Sequence, residues 1–189
     1  MIIGVSGKIA SGKTTVMEIL KNEGFSVIFA DEIVEDLYQS RGEGAKVVAK
    51  IFGKQFLLKN GEVDRKNLRQ LVFNDSNQLS ILIQKIHPLV IREIKKQLSN
   101  IDGDVIVEAV YFNNELGQLV DKMVWVERLR SDILKVLVSK RGFSRKLAAQ
   151  VYGIIKKPKK VDFVLKNDGK LVDLKNKINN VLLPQILSR

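Results

Sequence analysis

The sequence predicts an α/β fold of three layers, with a parallel sheet of about five strands between helices on both faces. Short apolar runs rich in Val and Ile alternate with longer stretches of helical periodicity, which is the pattern of strand–helix–strand units. The strand-like runs are apolar on both faces, as expected for strands buried in a parallel sheet. The length of 189 residues is enough for one core but short for two full domains. A single domain over residues 1–189 is therefore expected.

Five runs are predicted as strands because they are short, apolar or β-branched, and bounded by polar or turn residues. They lie at residues 2–6, 26–30, 104–110, 122–127 and 161–165. Gly7 follows the first strand and Asp31 follows the second. Residues at these positions are expected at the carboxyl edge of the sheet, where α/β proteins bind ligands.

Stretches with apolar residues three or four apart are predicted as helices. They lie at residues 14–23, 32–52 with a break near 40–44, 65–98, 131–140, 144–154 and 170–183. The 65–98 stretch is expected to be interrupted at His87-Pro88, because proline disfavours helix in the residue before it. The helical part at about 41–98 is too long for one crossover, so it is predicted to form a substrate-side subdomain.

The composition is that of a folded globular protein and limits the possible chemistry. Hydrophobic residues make up 45% and charged residues 28% of the chain, unlike a disordered chain. With no cysteine and one histidine, neither a disulfide framework nor a zinc site is expected. Residues 1–6 do not resemble a signal peptide, and no run of about 18 apolar residues occurs. A cytoplasmic location without a membrane partner is therefore expected.

The net charge of +11 is concentrated near the carboxyl end of the chain. Residues 1–127 carry 16 basic and 17 acidic side chains, whereas residues 128–189 carry 16 and 4. The basic third is expected to face anions, either the phosphates of a small ligand or a nucleic-acid backbone. A solvated basic surface without a ligand is the alternative.

The strongest functional signal is a glycine-rich loop between the first predicted strand and helix. Its sequence, GKIASGKT, matches the G-x-x-x-x-G-K-T pattern of a phosphate-binding loop. In such a loop the backbone N–H groups converge on an anion, the lysine reaches the β- and γ-phosphates, and the hydroxyl binds Mg²⁺. ATP and Mg²⁺ are the expected cofactors. The predicted nucleotide-binding residues are Gly7, Ala10, Ser11, Gly12, Lys13, Thr14 and Thr15.

Phosphoryl transfer also needs a group that activates the acceptor, and two carboxylates follow predicted strands. Asp31 follows the second strand and Glu108 lies near the end of the third. Because the carboxyl ends of parallel strands meet at one edge, both are expected beside the loop. Asp31 is predicted as the base, and Glu108 as an acceptor-binding residue or a Mg²⁺ partner. A helix cap or a surface charge is the alternative for each.

Several segments together resemble the dephospho-CoA kinase family, and the resemblance covers nearly the whole chain. ADEIVEDLY resembles the family's Asp-Ala-Asp-x-Ile segment, whose second aspartate is taken as the catalytic base; it falls on Asp31, and Phe29 replaces the first. GEVDRKNLRQLVF resembles the family's Gly-x-x-Asp-Arg block, and IHPLV its Ile-x-His-Pro segment. The resemblance implies a P-loop kinase fold and ATP-dependent phosphorylation of the ribose 3′-hydroxyl of dephospho-CoA.

By this resemblance, four residues of the helical subdomain help to hold dephospho-CoA: Asp64, Arg65, Arg69 and His87. Arg65 and Arg69 lie four apart on one helix face, where two guanidinium groups can grip a pyrophosphate. Surface pairing with Asp64 or Asp75 is the alternative for the arginines. A hydrogen-bonded structural role is the alternative for His87.

The resemblance also implies a lid over about residues 130–157 and a nucleotide contact at Asn167, within VLKNDG. An ordinary turn asparagine is the alternative for Asn167. The family's two lid arginines fall on Val136 and Lys140, so one expected cation is absent. Lys140 and Arg141 are predicted to stabilise the transferred phosphoryl group.

The sequence therefore predicts an ATP-dependent kinase acting on a small molecule. A nucleoside or nucleotide kinase is the alternative, because the fold does not choose the acceptor and VYFNN at residues 110–114 departs from the family's Pro-Leu-Leu-(Phe/Val)-Glu. A further alternative is an NTP-dependent nucleic-acid-binding protein, suggested by the basic third. Nucleic acid is not favoured as a partner, because the aromatic residues of that third are not arranged as an obvious stacking platform.

Overall fold

A computed structural model describes residues 1–187 of the chain. The chain forms two compact units, one of Met1–Ile28 together with the chain from Ile101 onward, the other of Phe29–Asn100. The first unit contains the sheet, and the second is helical. The predicted subdomain at 41–98 falls inside the second unit. Within residues 1–187, no helix combines the length and the apolar character needed to cross a membrane.

Five strands form one sheet. They are β1 (Ile2–Gly7), β2 (Ser26–Phe29), β3 (Val105–Glu108), β4 (Lys122–Glu127) and β5 (Phe163–Lys166). The order across the sheet is β2-β3-β1-β4-β5. β1 pairs in parallel with β3 and β4, and β4 pairs in parallel with β5. The predicted α/β fold with a five-stranded parallel sheet is confirmed.

The helices of the described residues fill the segments between strands. They are α1 (Lys13–Asn22), α2 (Ala30–Leu37), α3 (Glu43–Ile51), α4 (Arg65–Asn74), α5 (Ser76–Leu98), α6 (Asn114–Gly117), α7 (Arg130–Ser139), α8 (Arg145–Ile154), α9 (Leu171–Lys177) and α10 (Leu183–Leu187). A 3₁₀ turn at Lys54–Phe56 and a π-helical turn at Ile178–Leu182 complete the elements. The predicted break near residues 40–44 separates α2 from α3. The short helix α6 is not among the predicted elements.

The core of the first unit is built on the central strands of the sheet. Ile3 and Val5 of β1 and Val124 of β4 are fully buried, because β1 and β4 have neighbours on both sides. Helix α1 packs on β1 and β3 and buries Val16 and Leu20 completely. Each such side chain stabilises the fold by roughly 1.5–3 kcal/mol. The two ends of the glycine-rich loop are therefore fixed by a buried strand and a buried helix face.

The interruption predicted at His87-Pro88 is wrong, because α5 runs unbroken from Ser76 to Leu98. Proline inside a helix costs about 3 kcal/mol or more through a lost hydrogen bond and a steric clash. Four buried residues flank it on the packed face of α5: Ile86, Val90, Ile91 and Ile94. They pack α5 against α2, α3 and α4, and their burial outweighs the local penalty. The side chain of Pro88 itself is exposed.

The segment predicted as a lid contains two helices, α7 and α8, which form a hairpin. The two helices pack through buried Ile133, Leu137, Ala148 and Val151, and a short turn at residues 140–144 connects them. Gly142 has a φ of 67°, a left-handed conformation that glycine adopts without strain. Ser144 begins α8 by accepting a hydrogen bond from the N–H of Leu147 at 3.2 Å. We refer to residues 130–154 as the α7–α8 hairpin.

Candidate active site

The glycine-rich loop leads from β1 into α1 through two residues with positive φ. These are Ala10, with φ 63°, and Gly12, with φ 96°. A Cβ at Gly7 would lie 2.6 Å from both the Ser11 Oγ and the Val126 carbonyl oxygen, and a Cβ at Gly12 would lie 2.1 Å from the Asn167 Nδ2. Both predicted glycines are thus required by close contacts within the first unit.

The first turn of α1 has the features of an anion-binding helix start. Lys13, Thr14 and Thr15 form this turn, which has no side-chain cap and no acidic residue. The first N–H groups of a helix lack intrahelical acceptors and carry the positive end of the helix dipole. This end of α1 can therefore bind phosphate oxygens. The side chain of Thr14 is exposed there.

The Lys13 ammonium is held by three oxygen atoms of the first unit. Its Nζ donates to the carbonyl oxygens of Gly7 at 3.3 Å and Lys8 at 3.4 Å, and it lies 3.5 Å from Oε1 of Glu108. Lys13 is 8% exposed and Glu108 5%. A buried cation is unfavourable unless it is paired. Glu108 provides the opposite charge, and the loop carbonyls provide further acceptors.

The sheet register explains why Glu108 reaches the loop. Val5 of β1 pairs with Glu108 of β3, and Gly7 pairs with Val126 of β4. The ends of three adjacent parallel strands therefore meet where the loop begins, as the sequence predicted for Glu108. The pairing of Glu108 with Lys13 itself was not predicted, because side-chain direction cannot be deduced from strand position alone.

Asn167 supports the loop from the end of β5. Its side-chain amide donates to the carbonyl oxygen of Ser11 at 2.8 Å, and its backbone N–H donates to the carbonyl oxygen of Glu127 at 2.7 Å. Asn167 is therefore more than an ordinary turn residue, since it joins the last strand to the fully buried Ser11. A direct contact between Asn167 and the nucleotide stays a prediction.

Lys8, the residue after Gly7, connects the loop to the α7–α8 hairpin. Its Nζ donates to the carbonyl oxygens of Tyr152 at 2.8 Å and Ile155 at 2.6 Å. The same Nζ lies 4.1 Å from the centroid of the Tyr152 ring, and the Cζ of Arg130 lies 5.5 Å from that centroid. Burial lowers the pKa of Lys8. Sequence reasoning missed this cluster, because no local pattern relates residues 8 and 152.

A cavity of about 290 Å³ lies beside the loop. Lys8 and Tyr152 form part of its wall, Trp125 and Ile133 contribute apolar surface, and Asp168 lies at its β5 side. This volume is near the lower end of the range for small-molecule sites, about 300 Å³. The cavity lies at the carboxyl ends of β4 and β5, where open α/β sheets bind ligands.

Lys140 and Arg141 lie at the turn of the α7–α8 hairpin, and both are exposed. Lys8 meets the opposite end of that hairpin, and α7 and α8 are each ten residues long. One helix of that length separates the two ends by about 15 Å. A role of Lys140 and Arg141 in stabilising the transferred phosphoryl group stays a prediction.

The second unit contains the other residues predicted from the resemblance. Asp31 is exposed in the first turn of α2, which begins directly after β2. Asp64 caps α4 by accepting from the Asn67 backbone N–H at 3.1 Å and side-chain amide at 2.7 Å. Arg69 is exposed on α4 and His87 is half-buried on α5. Contacts of these four residues with a substrate stay predictions.

Arg65 forms an ion pair within the second unit. Its guanidinium pairs with Glu35 of α2, rather than with Asp64 or Asp75. Burial raises the pKa of Tyr38 to about 12, and the charge of Arg65 acts in the opposite direction. Arg65 is therefore already oriented, whereas Arg69 lies on the same face of α4 without an ion pair among the described residues.

Comparison with known proteins identifies one family. The family model described as dephospho-CoA kinase matches residues 1–173. The dephospho-CoA kinase of Carboxydothermus hydrogenoformans is 34% identical, with 96% of this chain and 92% of that protein covered. The dephospho-CoA kinase of Fusobacterium nucleatum is 33% identical, with coverages of 94% and 95%.

Solved structures agree with this comparison. A dephospho-CoA kinase from Campylobacter jejuni has a TM-score of 0.60 and 29% identity, with 97% of this chain and 96% of that chain covered. A Thermus thermophilus protein has a TM-score of 0.75 and 26% identity, covering 97% of each chain. A shikimate kinase from Aquifex aeolicus, at 18% identity and a TM-score of 0.50, shares the fold.

Proposed function

The chain belongs to the dephospho-CoA kinase family, and we propose that it transfers the γ-phosphoryl group of ATP to the ribose 3′-hydroxyl of dephospho-CoA, forming coenzyme A and ADP. The observation that carries the proposal is the buried Lys13–Glu108 pair at the glycine-rich loop. It places a cation and a carboxylate at the start of a helix whose N–H groups can bind phosphate. Such an arrangement suits a nucleoside triphosphate better than an uncharged ligand.

Lys13 would stabilise the negative charge that develops on the transferred group. Its ammonium is held by carbonyl oxygens of Gly7 and Lys8, which are weaker partners than phosphate oxygens. Binding of ATP would therefore replace these contacts with charge-assisted hydrogen bonds. The loop N–H groups would add further donors whose positions the close contacts at Gly7 and Gly12 already fix.

The residues present fit Mg²⁺, which neutralises charge between the β- and γ-phosphates when bound. Mg²⁺ prefers oxygen ligands and is commonly held by one or two protein groups together with substrate phosphates. Within residues 1–187, no cluster of three or more His, Cys, Asp or Glu could hold a metal by itself. The Thr14 hydroxyl and the Glu108 carboxylate are the oxygen groups near the loop that would serve. This donor set suits a metal that arrives with ATP.

Asp31 would accept or orient the proton of the acceptor hydroxyl. Its carboxylate is exposed and so available to a ligand. A positioned general base typically contributes about 10²–10⁴-fold to a rate. Arg65 and Arg69 on α4 would bind the pyrophosphate of dephospho-CoA, since arginine pairs with phosphate through two parallel hydrogen bonds.

The cavity beside the loop would receive the adenine of ATP. Trp125 and Ile133 form part of the apolar wall of the cavity, and Tyr152 also lines it. Asn167 contacts Ser11 of the loop, and its sequence neighbours Lys166 and Asp168 line the cavity. The proposal therefore gives Asn167 two roles, support of the loop and contact with the nucleotide.

An acceptor comparison tests the proposed activity. Purified protein with Mg-ATP would be offered dephospho-CoA or one of several nucleoside monophosphates, and ADP formation would be followed. We expect kcat/KM for dephospho-CoA to exceed the others by at least about 100-fold. A preference for any nucleoside monophosphate would contradict the proposal. Lys13→Met should lose activity with every acceptor, whereas Lys21→Met, which removes an exposed lysine from the same helix, should not.

A further inference from the structure

The contact between Lys8 and the end of α8 joins two parts of the first unit that are far apart in sequence. Lys8 belongs to the phosphate-binding loop, whereas Tyr152 and Ile155 lie in the last turn of α8 and directly after it. Two short hydrogen bonds from one ammonium, at 2.8 and 2.6 Å, fix the helix end to the loop. Hydrogen bonds from a charged donor are about twice as strong as neutral ones.

The position of this cation has an electrostatic consequence. The last carbonyl groups of a helix lack intrahelical donors and carry partial negative charge. Without a cation, the end of α8 would place that negative charge beside a loop that binds phosphates. Lys8 donates to the carbonyl oxygen of Tyr152, in the last turn of α8, and to that of Ile155, which follows the helix, so it satisfies both and offsets the repulsion. The same contact therefore satisfies carbonyl groups at the end of the hairpin and reduces negative charge beside the anion site.

Tyr152 extends the contact to the other helix of the hairpin. The centroid of its ring lies 4.1 Å from the Nζ of Lys8 and 5.5 Å from the Cζ of Arg130 in α7. Both distances are within the range of a cation–π interaction, about 6 Å. Lys8 also accepts a hydrogen bond from the Lys13 ammonium through its own carbonyl oxygen, at 3.4 Å. A continuous set of contacts thus runs from Lys13 through Lys8 to both hairpin helices.

We infer that Lys8 is a positioning residue that docks the α7–α8 hairpin on the phosphate-binding loop and thereby couples ATP binding to hairpin order. The docked hairpin contributes Arg130, Ile133 and Tyr152 to the wall of the cavity beside the loop. A loose hairpin would leave that wall incomplete, so ATP would first have to order it. This inference rests on the proposed use of ATP but does not depend on the acceptor.

The test combines a binding measurement with hydrogen–deuterium exchange on the full chain. Trp125 is the single tryptophan of the sequence and lines the cavity, so its fluorescence can follow Mg-ATP binding without any acceptor. Lys8→Met removes the charge but keeps a side chain of similar length. Lys8→Arg keeps the charge, and Lys146→Met removes an exposed lysine from α8 as the matched control.

For Lys8→Met we expect the Kd for Mg-ATP to rise roughly tenfold, a typical coupling between sites, and amides of residues 145–155 to exchange faster without nucleotide. The kcat at saturating ATP should fall by a smaller factor than the affinity, because ATP then supplies the missing order. Lys8→Arg should restore most of the affinity, and Lys146→Met should resemble the unsubstituted protein.

Three results would overturn the inference. Unchanged exchange at residues 145–155 in Lys8→Met would show that Lys8 does not hold the hairpin. Faster exchange spread equally over strands β1 and β4 would show a general loss of stability instead of a local role. Equal effects of Lys8→Met and Lys146→Met would show that only the total charge matters. None of these results depends on dephospho-CoA, so failure of the acceptor assignment remains distinguishable.

Discussion

The Lys13 ammonium lies 3.5 Å from the Glu108 carboxylate, and less than a tenth of either side chain is exposed. The pair joins the phosphate-binding loop to the end of β3, one strand away in the sheet. A buried charge is strongly destabilising when its partner is lost. Glu108 therefore stabilises the charge of Lys13, and we propose that it also acts toward Mg²⁺.

Glu108→Gln should lower the apparent affinity of the enzyme for Mg²⁺. The variant keeps the shape of the side chain but removes its charge, so the Mg²⁺ concentration for half-maximal rate should rise about tenfold or more. Steady-state rates across a Mg²⁺ titration measure this. Glu115→Gln, which changes an exposed glutamate of α6, serves as the control. Equal Mg²⁺ dependence in both variants would argue against a role for Glu108 toward the metal.

Gly12→Ala should impair ATP binding through two separate effects. An added Cβ would lie 2.1 Å from the Asn167 Nδ2, and Gly12 has a φ of 96°. We expect the Kd for Mg-ATP to rise by about 100-fold or more, since contact and backbone strain together cost several kcal/mol.

A double-mutant cycle with Asn167→Ala separates the two effects. Asn167→Ala alone removes the hydrogen bond to Ser11 and should raise the Kd by roughly tenfold. In the double variant the close contact is relieved and only the backbone strain at residue 12 persists. The loss of ATP-binding free energy should therefore be smaller than the sum of the losses in the two single variants. Full additivity would show that the Asn167 side chain does not limit residue 12.

Asp31→Asn tests the predicted base. The amide cannot accept the acceptor proton as a carboxylate does, so kcat should fall by about 100-fold or more, whereas the Kd for Mg-ATP should stay within about twofold. Asp36→Asn is a matched control, because Asp36 is also exposed on α2. A near-normal kcat for Asp31→Asn would remove Asp31 from the mechanism.

Alanine variants of Lys140 and Arg141 test whether the hairpin turn stabilises the transferred phosphoryl group. If the turn closes on bound ATP, each alanine variant should lose more than about tenfold in kcat, or ~1.4 kcal/mol of transition-state stabilisation. The exposed Lys146 of α8 provides an alanine control. Smaller losses for both residues would make a transition-state role untenable and would leave Lys13 as the principal cation.

Tyr38 makes the free energy of unfolding depend on pH in the alkaline range. Its pKa is raised from 10 to about 12 in the folded protein, chiefly by burial. The folded state therefore keeps a proton that the unfolded state loses, and stability falls as pH rises through this window. Two pKa units correspond to about 2.7 kcal/mol. Denaturant unfolding at several pH values should show this extra loss relative to Tyr38→Phe. Parallel curves for the two proteins would contradict the assignment.

Local patterns predicted the parts of the site that lie within one segment. The phosphate-binding loop depends on residues 7–14, and Glu108 depends only on the end of a strand, so both could be identified from the sequence. Asp64 was assigned to substrate, but the structure also gives it the capping of α4 through Asn67. The local sequence at residue 64 permits both roles, and only the folded contacts reveal the cap.

Contacts between distant segments could not be predicted. The hydrogen bonds from Lys8 to the end of α8 span more than a hundred residues, and nothing near Lys8 indicates them. The continuous helix through Pro88 has the same origin, because packing of Ile86 and Val90 decides it rather than local propensity. Tertiary packing overrides local preference where many apolar contacts act together.

The phosphoryl acceptor can be identified by analysing the product formed from dephospho-CoA. Purified protein would be incubated with Mg-ATP and dephospho-CoA, and the acceptor would be examined by mass spectrometry together with ADP release. We expect a gain of one phosphate on dephospho-CoA, matched by an equal amount of ADP, and no such gain with Lys13→Met. Unmodified dephospho-CoA, in protein whose Trp125 fluorescence still reports Mg-ATP binding, would contradict it.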